Sequence, residues 1–173
     1  MTLRTLLHLP ALLLVAACAA PDSSTDDVGD PGLLATVAPQ SVHDRAVAFL
    51  ARPEHTEPRV TVRHLLVSFR GAGVPGVTRT QEEAEQLAGE LLARAEAGEA
   101  FADLVAQHSD DSPEGVYTMV LEGSGSPPES YPRRGMVPAF GDAGWRLQPG
   151  ELEVVEFDPE KSPYGWHLVM RLE

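Results

Sequence analysis

One stretch of this 173-residue chain, residues 136–172, constrains the fold more than any other. It opens with Met136 and Phe140, which stand four residues apart at the start of a short amphipathic helix and can face the same side. A Pro-Gly turn and two strand-like runs follow, and the second run carries His167. This stretch therefore predicts a helix over residues 138–147 and then two strands, with an apolar pair and a histidine available for a site.

Before this stretch, the sequence predicts another strand and two helices. Residues 59–69 alternate between two faces, and one of these faces carries His64. Thr80 and Glu83 form a capping box that starts a long amphipathic helix. A shorter helix follows over about residues 100–108. These elements supply a second strand histidine and a long apolar helix face.

The segment that joins these helices to residue 136 has the least regular pattern. Residues 112–135 are rich in Pro and Gly and are expected to be irregular, apart from a short apolar run at residues 116–121. The order of elements is then strand, two helices, loop, helix and two strands. Such an order predicts an α+β domain with a mostly antiparallel sheet.

The composition excludes some classes of binding partner and some kinds of metal or disulfide site. The formal net charge of −13 repels phosphate backbones, so nucleic acid is not expected as a partner. The single cysteine excludes an internal disulfide and cysteine-rich zinc or iron–sulfur sites. With 43% apolar and 23% charged residues, the chain suits one compact domain with extensions.

The first residues have the composition of an export signal. Arg4 precedes an apolar run of about a dozen residues, too short to cross a bilayer core of roughly 30 Å. The run ends in VAAC, residues 15–18, which resembles a bacterial lipobox. Residues 1–17 are therefore predicted to be a lipoprotein signal peptide, with lipid on Cys18 anchoring the chain to a membrane of the cell envelope. Ordinary secretion with an incidental cysteine is the alternative.

Two further segments separate this signal from the globular part. Residues 18–40 are rich in Asp, Ser, Pro and Gly and are predicted to be a disordered tether. Residues 41–58 are predicted to contain a short helix, which Ser41 could cap, and a lead-in to the domain. The globular domain is predicted to cover residues 59–173.

Four pieces of the globular part occur in an order that is typical of one family. They are HLLV from His64, the helical segment TQEEAEQLAGELLARAEAGEAFADLVAQHSDD, the block RGMVPAFGDAGWRLQPGEL and the final YGWHLVMRL. In this order they resemble the parvulin-type peptidyl-prolyl cis/trans isomerases, or rotamases, over roughly residues 59–173. The resemblance implies a mostly antiparallel, four-stranded sheet flanked by about four helices.

The resemblance also implies an activity, a class of partner and a location. The family rotates X–proline bonds in unfolded or extended proline-containing polypeptides, and it uses no metal, nucleotide or other cofactor. Together with the lipobox, the chain is similar to envelope foldase lipoproteins, which implies assistance to the folding of exported proteins. A non-catalytic chaperone or client-binding module of the same fold is the alternative, and a scaffold that docks a partner at its sheet edge is a third reading.

The resemblance assigns roles to side chains in all four pieces. The catalytic positions are His64, Asp111 and His167, and the substrate-binding positions are Met136, Phe140 and Tyr164. The two histidines would hydrogen-bond each other on neighbouring strands, and the apolar pair would form walls for a proline ring. Core packing is the ordinary explanation of the apolar pair, and helix-end solvation that of Asp111. No metal is expected, because the spacing of these His and Asp residues and His108 fits no zinc pattern.

The sequence departs from the family pattern in two places. The segment GGDLGxF, which normally supplies a third apolar wall, is absent, and residues 114–119 stand there instead. Val116 or Met119 is the expected substitute, and an insertion at about residues 120–133 could overhang the site. The basic pair that some members use to bind phosphate is also missing, so phosphate-directed specificity is not expected.

Overall fold

The computed structural model describes residues 41–122, 124 and 128–173. The predicted signal peptide, the predicted lipidation site Cys18 and the predicted tether lie outside these described residues, so they stay predictions. The described part forms an α+β domain in which helices cover both faces of one sheet. The predicted fold class is therefore confirmed.

Within the described residues the sheet contains five strands, in the spatial order β3-β2-β1-β5-β4. The strands are β1 (Arg59–Val67), β2 (Val116–Val120), β3 (Ser130–Pro132), β4 (Leu152–Val155) and β5 (Trp166–Arg171). Each neighbouring pair is antiparallel except β2 with β3, which is parallel. Because β1 and β5 are adjacent, the two predicted strand histidines lie on neighbouring strands.

The described residues also form four α-helices. They are α1 (Val42–Leu50), α2 (Gln81–Glu96), α3 (Phe101–His108) and α4 (Pro138–Gly144), and a short 3-10 turn (Arg133–Gly135) precedes α4. The predicted capping box is present, because the Thr80 hydroxyl accepts from the Glu83 N–H at 3.2 Å and the Glu83 carboxylate accepts from the Thr80 N–H at 2.7 Å. None of the helices in the described ranges is both long and apolar enough to cross a membrane.

The two faces of the sheet carry separate apolar cores, because alternate residues of a strand point to opposite sides. On β1, Leu65 belongs to the core under α2 and α3, whereas Val62 belongs to the core under α4. Helix α1 contributes to both cores, with Ala46 in the first and Phe49 in the second. His64 follows Val62 on the α4 side, so the site forms on that face.

The segment that was expected to be irregular contains two strands. Residues 116–120 pair with β1, and residues 130–132 add β3 alongside β2. The predictions of an irregular segment and of a four-stranded sheet are wrong in this respect. The reason is tertiary: a run of five residues is weakly patterned by itself, but it becomes a strand where β1 offers an unpaired edge. β3 contains Pro132, and a proline is tolerated there because β3 is an edge strand.

Candidate active site

A pair of buried histidines forms the floor of the candidate site. His64 lies on β1 and His167 on β5, where the register pairs His167 with Leu66 and so places both imidazoles on the α4 face. His64 Nε2 and His167 Nδ1 are 2.8 Å apart and hydrogen-bonded. The two residues are only 4% and 2% exposed. The structure therefore brings the two predicted histidines into direct contact.

Burial favours the neutral form of both imidazoles. Burial lowers the pKa of His64 and lowers the pKa of His167 further, because a charged ring would lose its hydration. A neutral pair can share only one hydrogen bond, in which one ring donates and the other accepts. The outer nitrogens, His64 Nδ1 and His167 Nε2, have no hydrogen-bond partner among the described residues.

Asp111 stands at the outer end of this pair, three residues after the end of α3. Its Oδ2 is 3.6 Å from His64 Nδ1, just beyond hydrogen-bonding distance, and accepts a 2.6 Å hydrogen bond from the Tyr117 hydroxyl. These two neighbours, His64 first, hold the pKa of Asp111 well below its usual range. The carboxylate favours the His64 proton on Nδ1, so that His64 Nε2 accepts from His167 Nδ1 and His167 Nε2 is left as an acceptor.

The neighbouring aspartate, Asp110, has a structural role instead. Its Oδ2 accepts from the Ser68 N–H at 2.8 Å and from Arg79, and its own N–H donates to the Leu66 carbonyl at 2.9 Å. These contacts fasten the end of α3 to β1. They explain why Asp111, one residue further on, is held beside His64.

Apolar side chains form the walls above the histidines. The Phe140 ring lies 4.5 Å from the His64 ring and 5.5 Å from the Tyr117 ring, measured between centroids. Met136, at the residue before the Val137 cap of α4, lines the same cavity. Helix α4 thus places Phe140 over the histidines, and Met136, just before the helix, lines the same cavity.

Tyr117 supplies the third wall, and the expectation that Val116 or Met119 would do so is wrong. Val116 points away from the site and is 44% exposed, whereas Met119 is fully buried in the core under α4. Tyr117 pairs with Val62 of β1 and shares the face that carries His64. The sequence contained the signal for this wall, since residues two apart on a strand share a face, but only once the segment is recognised as a strand.

These groups enclose a cavity of about 370 Å³ that opens to solvent. All the side chains that the sequence assigned to catalysis and substrate binding line it, including Tyr164, which precedes β5 and is partly exposed. The loop between β1 and α2 closes one side through Gly73, Val74 and Pro75, which the sequence had not indicated. The cavity can therefore hold a small apolar ring against two neutral imidazoles and one carboxylate.

His108, which the sequence offers as a candidate metal ligand together with His64, Asp111 and His167, lies outside the cavity. His108 Nε2 is 3.2 Å from Arg94 Nη1 of α2, and His108 does not line the cavity. In the part of the chain that the structure describes, no group of three or more His, Cys, Asp or Glu side chains could hold a metal ion.

Comparisons with known proteins agree with this architecture. The family model of the PPIC-type PPIase domain matches residues 47–173. Chaperone SurA of Pseudomonas fluorescens is 33% identical over 110 residues, which make up 64% of this chain and 22% of the relative. Chaperone SurA of Chromohalobacter salexigens is 35% identical over 115 residues, or 66% of this chain and 22% of the relative. The chain thus spans about a fifth of the length of these curated relatives.

Two solved structures share the fold. Peptidyl-prolyl isomerase ESS1 from Candida albicans has a TM-score of 0.52 and 23% identity, over 70% of this chain and 66% of that one. The solution structure of TbPIN1 has a TM-score of 0.53 and 22% identity, over 68% of this chain and all of that one. These likenesses concern the fold, whereas the family match covers most of the sequence. This chain belongs to the parvulin family, the PPIC-type peptidyl-prolyl isomerases.

Proposed function

We propose that this protein is a peptidyl-prolyl cis/trans isomerase that acts on unfolded or extended proline-containing polypeptides without a cofactor. The observation that carries the proposal is one cavity in which Met136, Phe140 and Tyr117 surround a hydrogen-bonded pair of buried, neutral histidines. An apolar slot of this size suits a proline ring. The family match supports the same reaction.

The reaction requires rotation about a bond with partial double-bond character, against a barrier of about 18–20 kcal/mol. Uncatalysed rotation about X–proline takes tens to hundreds of seconds. In the twisted transition state the carbonyl oxygen loses negative charge and the nitrogen becomes more basic. A poorly solvated site favours this less polar state over the planar amide, and each tenfold acceleration needs about 1.4 kcal/mol of such preference.

The proposed roles follow from the contacts. Met136, Phe140 and Tyr117 grip the proline ring, while the rest of the peptide turns. Asp111, oriented by Tyr117, lies near the substrate carbonyl, where its charge repels the negative oxygen of the planar amide more than that of the twisted one. Burial favours the neutral form of His64 and His167 on the floor of the site, whereas His64 and Tyr117 lower the pKa of Asp111 and so hold it ionised. Tyr164 borders the opening.

A proline-peptide isomerisation assay tests this proposal. Wild-type protein should accelerate the exchange, and the double variant Met136→Ala, Phe140→Ala should lose at least about 100-fold of that acceleration, because only the Tyr117 wall then contacts the ring. Val47→Ala, an exposed apolar change on α1, is the matched control and should keep wild-type activity. Because Phe140 is buried in the core, Phe140→Leu and a thermal melt distinguish lost grip from lost folding.

Two results would overturn it. Activity that survives the folded double variant would show that the site lies elsewhere. A wild-type protein that binds peptides but accelerates none of them would instead indicate a non-catalytic client-binding module.

We also propose that the protein is exported and anchored to a membrane of the bacterial cell envelope by lipid on Cys18. The support is the sequence itself, in which a short apolar run ends in VAAC, residues 15–18. Several acyl chains on a new N-terminal cysteine would anchor the domain firmly, whereas a single chain holds only marginally. Cells fed a radioactive fatty acid should label the wild type and not Cys18→Ser. Label that persists on the variant would refute the anchor.

A further inference from the structure

The mouth of the cavity carries one uncompensated charge. Among the residues that line it, Asp110 and Asp111 are the only ones charged at neutral pH, because burial keeps both histidines neutral. Asp110 is paired with Arg79 and with the Ser68 N–H. Among the described residues, no lysine or arginine pairs with Asp111, and its nearest basic neighbour is the buried His64, so its negative charge faces whatever enters the cavity.

The Asp111 carboxylate is both accessible and held in place. Its side chain is 43% exposed, and the Tyr117 hydroxyl fixes Oδ2 through a 2.6 Å hydrogen bond. Besides His64 and Tyr117, a backbone hydrogen bond from Ser112 also lowers the pKa of this carboxylate, so it stays ionised while it remains exposed to the cavity. A carboxylate that is already oriented loses less conformational entropy when it binds a cation than a mobile surface side chain does.

The position of this charge along a bound peptide follows from the proposed role of Asp111. Phe140 and Asp111 stand on either side of His64: the Phe140 ring is 4.5 Å from the His64 ring, and Asp111 Oδ2 is 3.6 Å from His64 Nδ1. The proposed function holds the proline ring against Phe140 and places the carbonyl that precedes the proline near Asp111. That carbonyl belongs to the residue before the proline, whose Cα is only about 3.8 Å from the proline Cα, so this residue is the one beside Asp111.

We propose that this site selects prolines preceded by lysine or arginine and discriminates against acidic residues at that position. The inference rests on the proposed function, since it names the substrate class of the same cavity. A cationic side chain would pair with the ordered Asp111 carboxylate, whereas a glutamate or a phosphorylated residue would face it across a short distance. The net charge of −13 acts in the same direction by attracting basic segments.

The test is a set of peptides that differ only in the residue before proline, assayed with the full chain at low salt. We expect kcat/KM to fall in the order Lys or Arg, then Leu, then Glu, with about tenfold between Lys and Glu. Raising the salt concentration should compress this ratio toward one, because a partly exposed pair is screened. Equal kcat/KM values for Lys and Glu peptides would overturn the inference.

Two variants locate the source of the preference. Asp111→Asn should remove the Lys-over-Glu ratio whatever its effect on the absolute rate, whereas Asp103→Asn, the same loss of charge on the exposed side of α3, should keep it. If Asp111→Asn turns over too slowly to assay, the same ratio is taken from peptide dissociation constants. A ratio that persists in folded Asp111→Asn would contradict the assignment.

Failure of the proposed function gives a different result. In that case no peptide is isomerised faster than in buffer, whichever residue precedes the proline. An isomerase without a charge preference accelerates all the peptides equally, whereas an inactive protein accelerates none, so one experiment distinguishes the two cases.

Discussion

At the scale of single residues, Tyr117 does more than form a wall. Its ring closes the cavity opposite Phe140, while its hydroxyl orients the Asp111 carboxylate. A leucine or phenylalanine would supply the wall but not the 2.6 Å hydrogen bond to the carboxylate. Tyr117 therefore couples the apolar grip to the position of the charge, and this coupling makes the charge selective.

We expect the Tyr117 phenol to ionise well above the usual range of a tyrosine. Burial raises its pKa, and the Asp111 carboxylate raises it further, because a phenolate beside a carboxylate is unfavourable. A difference titration of phenolate absorbance between wild type and Tyr117→Phe isolates this group. Asp111→Asn should lower its midpoint toward the ordinary value of about 10. A wild-type midpoint at that ordinary value would contradict the hydrogen bond.

His167 should make folding sensitive to mild acid. Burial lowers the pKa of His167 in the folded protein. Below about pH 6.5 the imidazole therefore binds a proton in the unfolded chain but not in the folded one. The free energy of unfolding should therefore fall as the pH drops from 7 to 5, by at most about 1.4 kcal/mol per pH unit for this one group. Denaturant unfolding of His167→Asn should show a shallower fall than wild type. Parallel curves would mean that the buried imidazole takes up its proton while folded.

At the scale of elements, the connection between α3 and β2 places Asp111 beside β1. The Gly115 carbonyl accepts from the His64 N–H at 2.7 Å, so the chain passes directly against the strand that carries the catalytic candidate. Gly115 has a φ of 59°, and a Cβ there would lie 2.3 Å from the His64 carbonyl oxygen and 2.7 Å from Val105. Only glycine fits this approach without displacing the connection.

Gly115→Ala should therefore destabilise the protein by at least about 2 kcal/mol and reduce isomerase activity in the folded fraction. Gly98→Ala is the matched control, because Gly98 also has a positive φ but would place its Cβ in open space. The control should show only the cost of backbone strain and keep its activity. Thermal melts and the peptide assay measure the two effects, and equal losses of stability would contradict the close approach.

At the scale of the whole molecule, α1 joins the two cores. Ala46 is buried on one side of the sheet and Phe49 on the other. Arg45 and Arg52 both pair with the nearly buried carboxylate of Glu153 on β4, at 2.6 and 3.0 Å. A helix fixed at both cores and to the edge strand is part of the cooperative unit.

Phe49→Ala should accordingly cost about 3–5 kcal/mol of the free energy of unfolding, as truncation of a buried aromatic does. The loss should appear in a single transition that includes the active-site face. Val47→Ala on the exposed side of α1 should stay within about 0.5 kcal/mol of wild type. An early separate transition for Phe49→Ala would show that α1 unfolds independently of the sheet.

The sequence by itself determined the helices and the strongly patterned strands, and its resemblance to a family indicated which residues form the candidate site. Helix α2 begins at its capping box. Helix α4 begins with a proline, which has no N–H to leave unpaired in the first turn. Both start signals involve only residues that are close in sequence, so they can be recognised without the fold. The resemblance to the parvulins placed Met136, Phe140 and the two histidines in one site, and the structure brings these side chains together. A strong apolar periodicity and helix-capping residues can be recognised from the sequence alone.

Tertiary structure alone decided the rest. Residues 116–120 become a strand because β1 leaves an edge unpaired, and only that pairing turns Tyr117 rather than Val116 toward His64. The sequence also could not indicate which aspartate carries the unpaired charge at the cavity, since Asp110 and Asp111 are adjacent and of the same type. An ion pair with Arg79 compensates the charge of Asp110, whereas no lysine or arginine of the described residues pairs with Asp111. Pairing between distant segments carries no local pattern, so these features exist only once the chain has folded.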